Sequence, residues 1–354
     1  MSLLIRARKP LSSPWPAADP FLFCAYHLDA YPASDGAQGL PPAALAGRDA
    51  DSDFSRRDGF STYHSQPIPG FPAHPHRGFE TVTVARSGLV DHADSLGATA
   101  RYGQGDVQWL TAGGGVMHAE MFPLEHADRD NLLDLYQIWL NLPPEDKMAP
   151  AAFKMLWAPT IPHYRHRNAT GATATVTVVA GAYTPVDTAM APGPELVPPS
   201  PPPSSWAARP DTDVAIWLVI LEPGASITLP AARDVRSLRT LYFHYGTQIR
   251  VDGEPSQGQE LYEVDAASTV ELHNDGADEA RVMLLQGVPI RAPVAAMGPF
   301  VMNTEQELWQ ARVDFGRTQF GGWPWPEPGP VHAPGQQRFA RYPGSSEADY
   351  PPAS

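Results

Sequence analysis

Proline and glycine recur along the whole chain and cut it into short runs. The 40 prolines and 29 glycines are scattered too evenly for a collagen repeat, so the chain must be built of many short strands joined by turns, with some loose polar connections. Residues 79–85 carry β-branched side chains in rough in–out alternation. Further strands are predicted over 21–26, 90–92, 99–102, 107–110, 116–121 and 134–141, the last ended by Pro143 and Pro144. Alternation, abundant glycine and the absence of a long helical period predict an antiparallel β-barrel or sandwich. A second unit begins near residue 160, with strands predicted over 174–180, 215–221, 226–229, 239–245, 248–251, 259–264, 268–273 and 280–286. The spacing repeats that of the first unit without an exact sequence repeat, so two similar barrels are expected.

The organisation expected is an N-terminal arm over 1–18, a first unit over 19–150 and a second over 151–303. Residues 32–62 read as a long polar loop with a short helix over 43–45; loops of that length often cover a functional site. The second unit contains a proline-rich insertion near 185–210. A helix follows over 304–320: Thr304 and Glu307 form a capping box, Leu308, Ala311 and Phe315 form an apolar stripe, and Gly316 offers a stop. Residues 321–354 read as a Pro/Gly-rich tail, poorly ordered over 331–354, that Trp323 and Trp325 could anchor to the body or to another subunit.

With 354 residues, 43% hydrophobic, the chain can bury a large core. Its net charge of -14 repels nucleic acid backbones, so no direct nucleic acid binding is expected. A single cysteine, Cys24, excludes an internal disulfide framework and fits a reducing compartment. No run of about 18 apolar residues and no ordered signal peptide is present. A cytoplasmic location and no membrane partner are therefore expected.

Two residue pairs carry the chemistry. His74 and His76 lie in G-F-P-A-H-P-H-R-G-F-E; His118 and Glu120 lie in G-G-G-V-M-H-A-E-M-F. On an extended backbone, residues two apart point to one face. Two neighbouring strands could therefore aim three imidazoles and one carboxylate at one point. That set suits Fe(II), Mn(II), Ni(II) or Zn(II), with positions left open for a small molecule. With Fe(II) the site would carry a net charge of about +1, which suits an anionic ligand, and two open positions would admit a substrate oxygen and dioxygen. Glu80 competes with Glu120 for the acidic role. It stands four residues after His76 and could be a ligand, an acceptor for an imidazole N–H or a solvated residue. His92 and Asp94 read as structural neighbours. Trp109, Phe79, Phe122, Met117 and Met121 could line an apolar pocket, although core packing explains them equally well. In the second half, His244 and His273 are far apart and neither belongs to an H-x-H pair, so no second metal site is expected. No phosphate loop, serine elbow or C-x-x-C is present.

The stretches G-F-P-A-H-P-H-R-G-F-E-T-V-T, V-D-H-A-D-S-L-G, G-D-V-Q-W-L-T-A-G-G-G-V-M-H-A-E-M, Y-Q-I-W-L-N-L-P and G-P-F-V-M-N-T closely resemble the pirin family, within the bicupin group. The resemblance extends from near residue 20 to near 321. It implies an all-β bicupin: two cupin-type antiparallel β-barrels with a short C-terminal helix and metal in the N-terminal barrel alone. It places the family's ligands on His74, His76, His118 and Glu120, favours Glu120 over Glu80, and makes iron the expected metal. It also implies an Fe(II)-dependent dioxygenase that cleaves flavonols such as quercetin. The partners would then be dioxygen and a small aromatic or anionic oxygen-donor substrate, whose 3-hydroxyl proton Glu120 takes. The alternative it implies is a non-enzymatic, iron- or redox-responsive module in which the 32–62 loop meets a protein partner. Gly114 stands where the family often has a basic residue, and the 32–62 loop, the proline-rich insertion and the tail are longer than in compact members.

Overall fold

The computed structural model describes residues 4–186 and 193–353. The first residues of the expected arm (1–3), residues 187–192 of the proline-rich insertion and Ser354 of the tail lie outside the described residues. Among the described residues the strand pairings that carry the two sequence pairs and their neighbours, such as 70–76 with 116–121 and 79–87 with 131–141, are antiparallel, and the one helix longer than four residues is Glu305–Thr318.

The chain does not divide in simple sequence order. One unit is built from Ala25–Pro159 with Ala292–Ser354, the other from Met1–Cys24 with Thr160–Arg291. The strand Phe21–Tyr31 carries the chain from one to the other.

In the unit that contains the two sequence pairs, a five-stranded sheet runs in the order Phe339–Arg341, Thr99–Gly103, Leu89–Asp94, Val116–Met121, Gly70–His76. A second sheet runs Ala152–Leu156, Asp106–Thr111, Phe79–Ser87, Asn131–Asn141, Phe21–Tyr31. They share a core that includes Val90, Tyr102, Leu110, Leu135 and Phe153. Residues 79–85 are all buried, so the polar members of their alternation, Glu80, Thr81 and Thr83, lie inside as well. These are two packed sheets, and neither is shown to close into the barrel that the resemblance implied.

The other unit has a seven-stranded sheet, Ile5–Pro10, Glu260–Val264, Leu238–Tyr245, Ala280–Gly287, Ala215–Leu221, Thr173–Ala180, His163–Arg167, and a four-stranded one, Ser226–Leu229, Val270–Asn274, Ile249–Val251, Glu254–Pro255. Its interior is filled by apolar side chains such as Val176, Leu241, Phe243 and Val282. The expected arm is in fact an edge strand. Residues 5–10 pair with 260–264, and the Arg8 guanidinium forms two 2.9 Å bonds to the Glu260 carboxylate.

Three connecting segments are more ordered than their composition suggests. The 32–62 loop contains the short helix Pro42–Leu45 and folds around Arg48, which bonds the Asp53 carboxylate at 2.7 Å and lies over the Phe60 ring at 3.8 Å. The capping box at Thr304 forms, with Glu307 N donating to Thr304 Oγ1 (3.2 Å) and Thr304 N to Glu307 Oε2 (2.9 Å). The helix does not stop at Gly316. It runs to Thr318 and ends where Gln319 turns left-handed, at φ 45°. Nor is the tail loosely ordered. Trp325 Nε1 donates to the Asp94 carbonyl at 2.8 Å, Ala73 N to the Pro328 carbonyl at 2.7 Å and His332 N to Asp91 Oδ2 at 2.8 Å. Phe339–Arg341 then adds a strand beside Thr99–Arg101. Among the described residues Trp323 bonds locally, to the Glu327 carbonyl, so Trp325 serves as the anchor.

Candidate metal centre

Register brings the two pairs together. The strand Gly70–His76 lies antiparallel to Val116–Met121, with His74 directly opposite His118. On the other side of the 116–121 strand, His92 stands opposite Glu120 and Asp94 opposite His118. Alternation along three adjacent strands thus puts positions 74, 76, 118, 120, 92 and 94 on one face. One ring nitrogen each from His74, His76 and His118 lies within 4.8 Å of the others. Among the described residues this is the one group of three or more such side chains placed to hold a metal ion.

Glycine turns make the approach possible. Gly78 has φ 86°, and a Cβ there would sit 1.9 Å from the Val301 carbonyl oxygen. Gly115 has φ 131°, and its Cβ would meet the Phe320 ring at 2.6 Å. Neither position tolerates a side chain. Between them, the Arg77 guanidinium bonds the Gly114 carbonyl and the Asp314 carboxylate, both at 2.8 Å, and lies 4.5 Å from the Phe320 ring centre. Buried Lys147 Nζ donates to the Gly78 carbonyl (2.7 Å), Asn141 Oδ1 (2.6 Å) and the Val301 carbonyl (2.9 Å). The turn after His76 is therefore clamped from two sides.

Burial keeps the imidazoles neutral. The pKa of His74 is lowered to about 4, chiefly by desolvation and partly opposed by the Pro72 carbonyl. Those of His76 and His118 fall well below the usual value, from desolvation first and neighbouring histidines second. His74 Nδ1 bonds the Pro72 carbonyl at 2.9 Å, which leaves Nε2 available. Both ring nitrogens of His76 and of His118 are buried; those of His118 have no hydrogen-bond partner, and the Pro299 carbonyl pulls on the His76 ring. Buried polar atoms left unpaired cost roughly 1–3 kcal/mol each. Three converging neutral imidazoles with orphaned nitrogens are a donor set that a divalent cation satisfies, so the residues fit a metal.

Glu120 stands beside this cluster, with Oε2 3.8 Å from His118 Nε2. Gln137 Nε2 donates to Glu120 Oε2 at 2.6 Å and Thr83 Oγ1 to Oε1 at 3.3 Å. Trp139 Nε1 in turn donates to Gln137 Oε1 at 3.1 Å. Burial raises the Glu120 carboxyl pKa, against the opposing pull of His92, Gln137 and Thr83.

The remaining candidates separate. Phe79 packs between His76 (5.0 Å between ring centres) and Trp139 (4.0 Å). Phe122 meets Phe71, which lies 6.2 Å from His74. His92 is buried, 5.6 Å from the His118 ring, stacked on Phe153, with Nε2 3.2 Å from Asp94 Oδ2. Glu80 and Trp109 stand elsewhere. Glu80 Oε2 accepts from Trp109 Nε1 and Thr111 Oγ1, both at 2.8 Å. Phe79 and Thr83 face the cluster, so Glu80, out of step with both, faces away. The four-residue spacing from His76 misleads because the chain turns at Arg77–Gly78 and the alternation restarts. Met117 and Met121 likewise alternate away from His118 and Glu120. Sequence reasoning missed Thr83, Gln137 and Trp139. Their signal was the two-residue spacing of Gln137 and Trp139 in Y-Q-I-W and the four-residue spacing of Phe79 and Thr83, an even number that keeps both on one strand face, which acquires meaning only through the pairing of residues 79–87 with 134–141.

Comparison with known proteins gives a consistent result. Two family models match: Pirin over residues 42–140 and the Pirin C-terminal cupin domain over residues 216–321. A Pseudomonas aeruginosa protein named as a candidate quercetin 2,3-dioxygenase is 33% identical, covering 80% of this chain and 93% of its own. Human Pirin is 31% identical, covering 71% and 78%. The crystal structure of a quercetin 2,3-dioxygenase from Acinetobacter baumannii aligns with TM-score 0.63 and 25% identity, over 90% of this chain and 98% of that one.

Proposed function

The chain belongs to the pirin family, and from that premise we propose that it is an Fe(II)-dependent dioxygenase that opens flavonols such as quercetin. The observation that carries this reading is the convergence of three buried, neutral imidazoles beside Glu120. His74, His76 and His118 would hold the metal, with Glu120 as the fourth ligand; manganese, nickel or zinc would suit the same donors. When bound, iron supplies a Lewis-acidic centre and a redox couple for dioxygen chemistry. The protein's own part is proton transfer and positioning. A Glu120 oxygen takes the proton of the flavonol 3-hydroxyl, favoured by the burial that raises its basicity. Gln137 and Thr83 keep that carboxylate oriented. Phe79 and Trp139 keep water from the His76 side.

Anaerobic loading with Fe(II), followed by quercetin and then dioxygen, tests the proposal. Loss of the flavonol absorbance with release of carbon monoxide is expected. Tight iron binding without turnover would sink the enzyme reading and favour a regulatory module. One observation supports that second reading. Phe54, on the 32–62 loop and 53% exposed, lies 6.3 Å from Phe71, which neighbours His74. A change at the metal has a short aromatic path to a surface side chain that a protein partner could cover.

A further inference from the structure

One short segment near the C-terminus reaches the chain immediately beside each of the three imidazoles. The Phe320 ring centre lies 4.5 Å from the guanidinium of Arg77, the residue after His76. The Phe320 carbonyl accepts from Ser95 Oγ at 3.1 Å. That same oxygen accepts at 3.0 Å from the backbone N–H of Met117, the residue before His118, and Ser95 N donates to the Met117 carbonyl at 2.8 Å. The Pro328 carbonyl accepts at 2.7 Å from the N–H of Ala73, the residue before His74. Between these points Trp325 Nε1 donates to the carbonyl of Asp94 at 2.8 Å, and Asp94 stands opposite His118 in the strand ladder.

The sheet alone does not fix all three histidines. His118 lies on a strand paired on both sides, whereas Gly70–His76 is the border of its sheet. The register of that border strand also slips between Phe71 and His74. A slip of this kind takes backbone groups out of the ladder, and the tail supplies the partner that Ala73 N needs. The turn that delivers Phe320 is itself held in place. Gln319 and Phe320 have φ 45° and 47°, and Gly321 and Gly322 continue at 102° and 86°. Side chains resist left-handed backbone, which persists only where the surroundings impose it. Here the Phe320 ring is seated against Gly115, Phe300 and Phe315, the last two at 5.9 and 5.3 Å between ring centres. Metal ligands work only when held to within about 0.5 Å, by groups that stand behind them.

We propose that residues 320–328 form a strap that positions His74, His76 and His118, with Ser95 and Trp325 as its positioning residues, so that strap docking and metal binding strengthen each other. The inference rests on those three histidines holding a metal. Reciprocity requires that whatever the docked strap adds to metal affinity, the metal adds to strap docking. The test titrates Co(II) into chelator-stripped full-length protein, in competition with a chromogenic chelator, and records the visible bands of the bound ion. Ser95→Ala, which removes both hydroxyl bonds, should weaken Co(II) binding about tenfold, and Trp325→Phe, which keeps a ring but removes the N–H, about fivefold. Both should shift the visible bands, while melting of the metal-free proteins changes little. Co(II) should also slow deuterium exchange over residues 323–332 of the parent. If the parent binds no Co(II), or binds it no better than His118→Ala protein, the metal reading falls and the strap with it. If the parent binds Co(II) tightly, the strap alone is overturned by parent-like affinity and bands in folded Trp325→Phe protein, or by exchange over 323–332 that ignores Co(II).

Discussion

At the residue scale, Glu120 depends on side chains from the other sheet of its unit. Gln137 makes the shorter of its two bonds, 2.6 Å. Groups that orient a metal-site carboxylate typically matter by 10–100-fold in metal affinity or activity. Gln137→Leu should therefore weaken metal binding by about that factor while the three imidazoles remain in place, which competition with a chromogenic chelator would show. A second residue makes a pH-dependent contribution. Asp29 accepts from Ser61 N at 2.9 Å and the Tyr63 hydroxyl at 2.6 Å, and Tyr63 also meets His27 Nδ1 at 2.7 Å. Burial raises the Asp29 pKa to about 6 despite those hydrogen bonds. That lies above the ~3.9 of an unfolded aspartate, so the native state holds this proton more tightly than the unfolded chain does. The resulting stabilisation is full below pH ~4 and is lost as the pH rises through about 6, on the order of 2–3 kcal/mol in all. Urea melts of Asp29→Asn protein should show that part of the pH dependence flattened; an unchanged profile would rule out Asp29 as its source. Such residues were partly legible. Spacing exposed His74, His76, His118 and Glu120 because alternation is a local property. Gln137 and Thr83 act through register, which a single strand does not encode.

At the element scale, the turn after His76 is the critical piece. Gly78 takes a left-handed backbone against the Val301 carbonyl, and Lys147 ties both to Asn141. Gly78→Ala should cost roughly 2–4 kcal/mol, from backbone strain together with overpacking. The displaced turn should lower metal occupancy as well. Calorimetric melting and elemental analysis would check both, and a normal melting temperature with full occupancy would contradict the argument. The glycine-rich turns were visible in the sequence, and so was the capping box of the helix, because both are short-range patterns. The end of that helix was not. Gly316 has open space around it and no left-handed turn is imposed there, so the helix continues to Thr318. Glu80 was misjudged for a related reason: the break at Arg77–Gly78 resets which face each later residue occupies.

At the scale of the whole molecule, fold class and the existence of two β units followed from strand spacing, while the way the chain is shared between them did not. Residues 292–354 belong with 25–159, and composition hid this because the tail is rich in proline, glycine and polar residues. Its order comes from distant partners. Arg338 bonds both oxygens of the Asp106 carboxylate at 2.8 Å, and Trp157 Nε1 donates to Asp349 at 2.9 Å. Deleting residues 322–354 should leave the edge of Thr99–Gly103 unpaired and Asp106 short of its cation. A lower melting temperature and self-association by light scattering are expected; a monodisperse protein of unchanged stability would show the tail to be dispensable.

The strand at 339–341 also sets an order of events during synthesis. Domains generally fold as units while the ribosome is still adding residues. The sheet that bears the histidines, however, needs a strand made more than two hundred residues after its first one. Its unit cannot be completed before residues 339–341 are made, after the whole 160–291 segment of the other unit. Until residues 339–341 have been made, the border of that sheet stands open in the nascent chain.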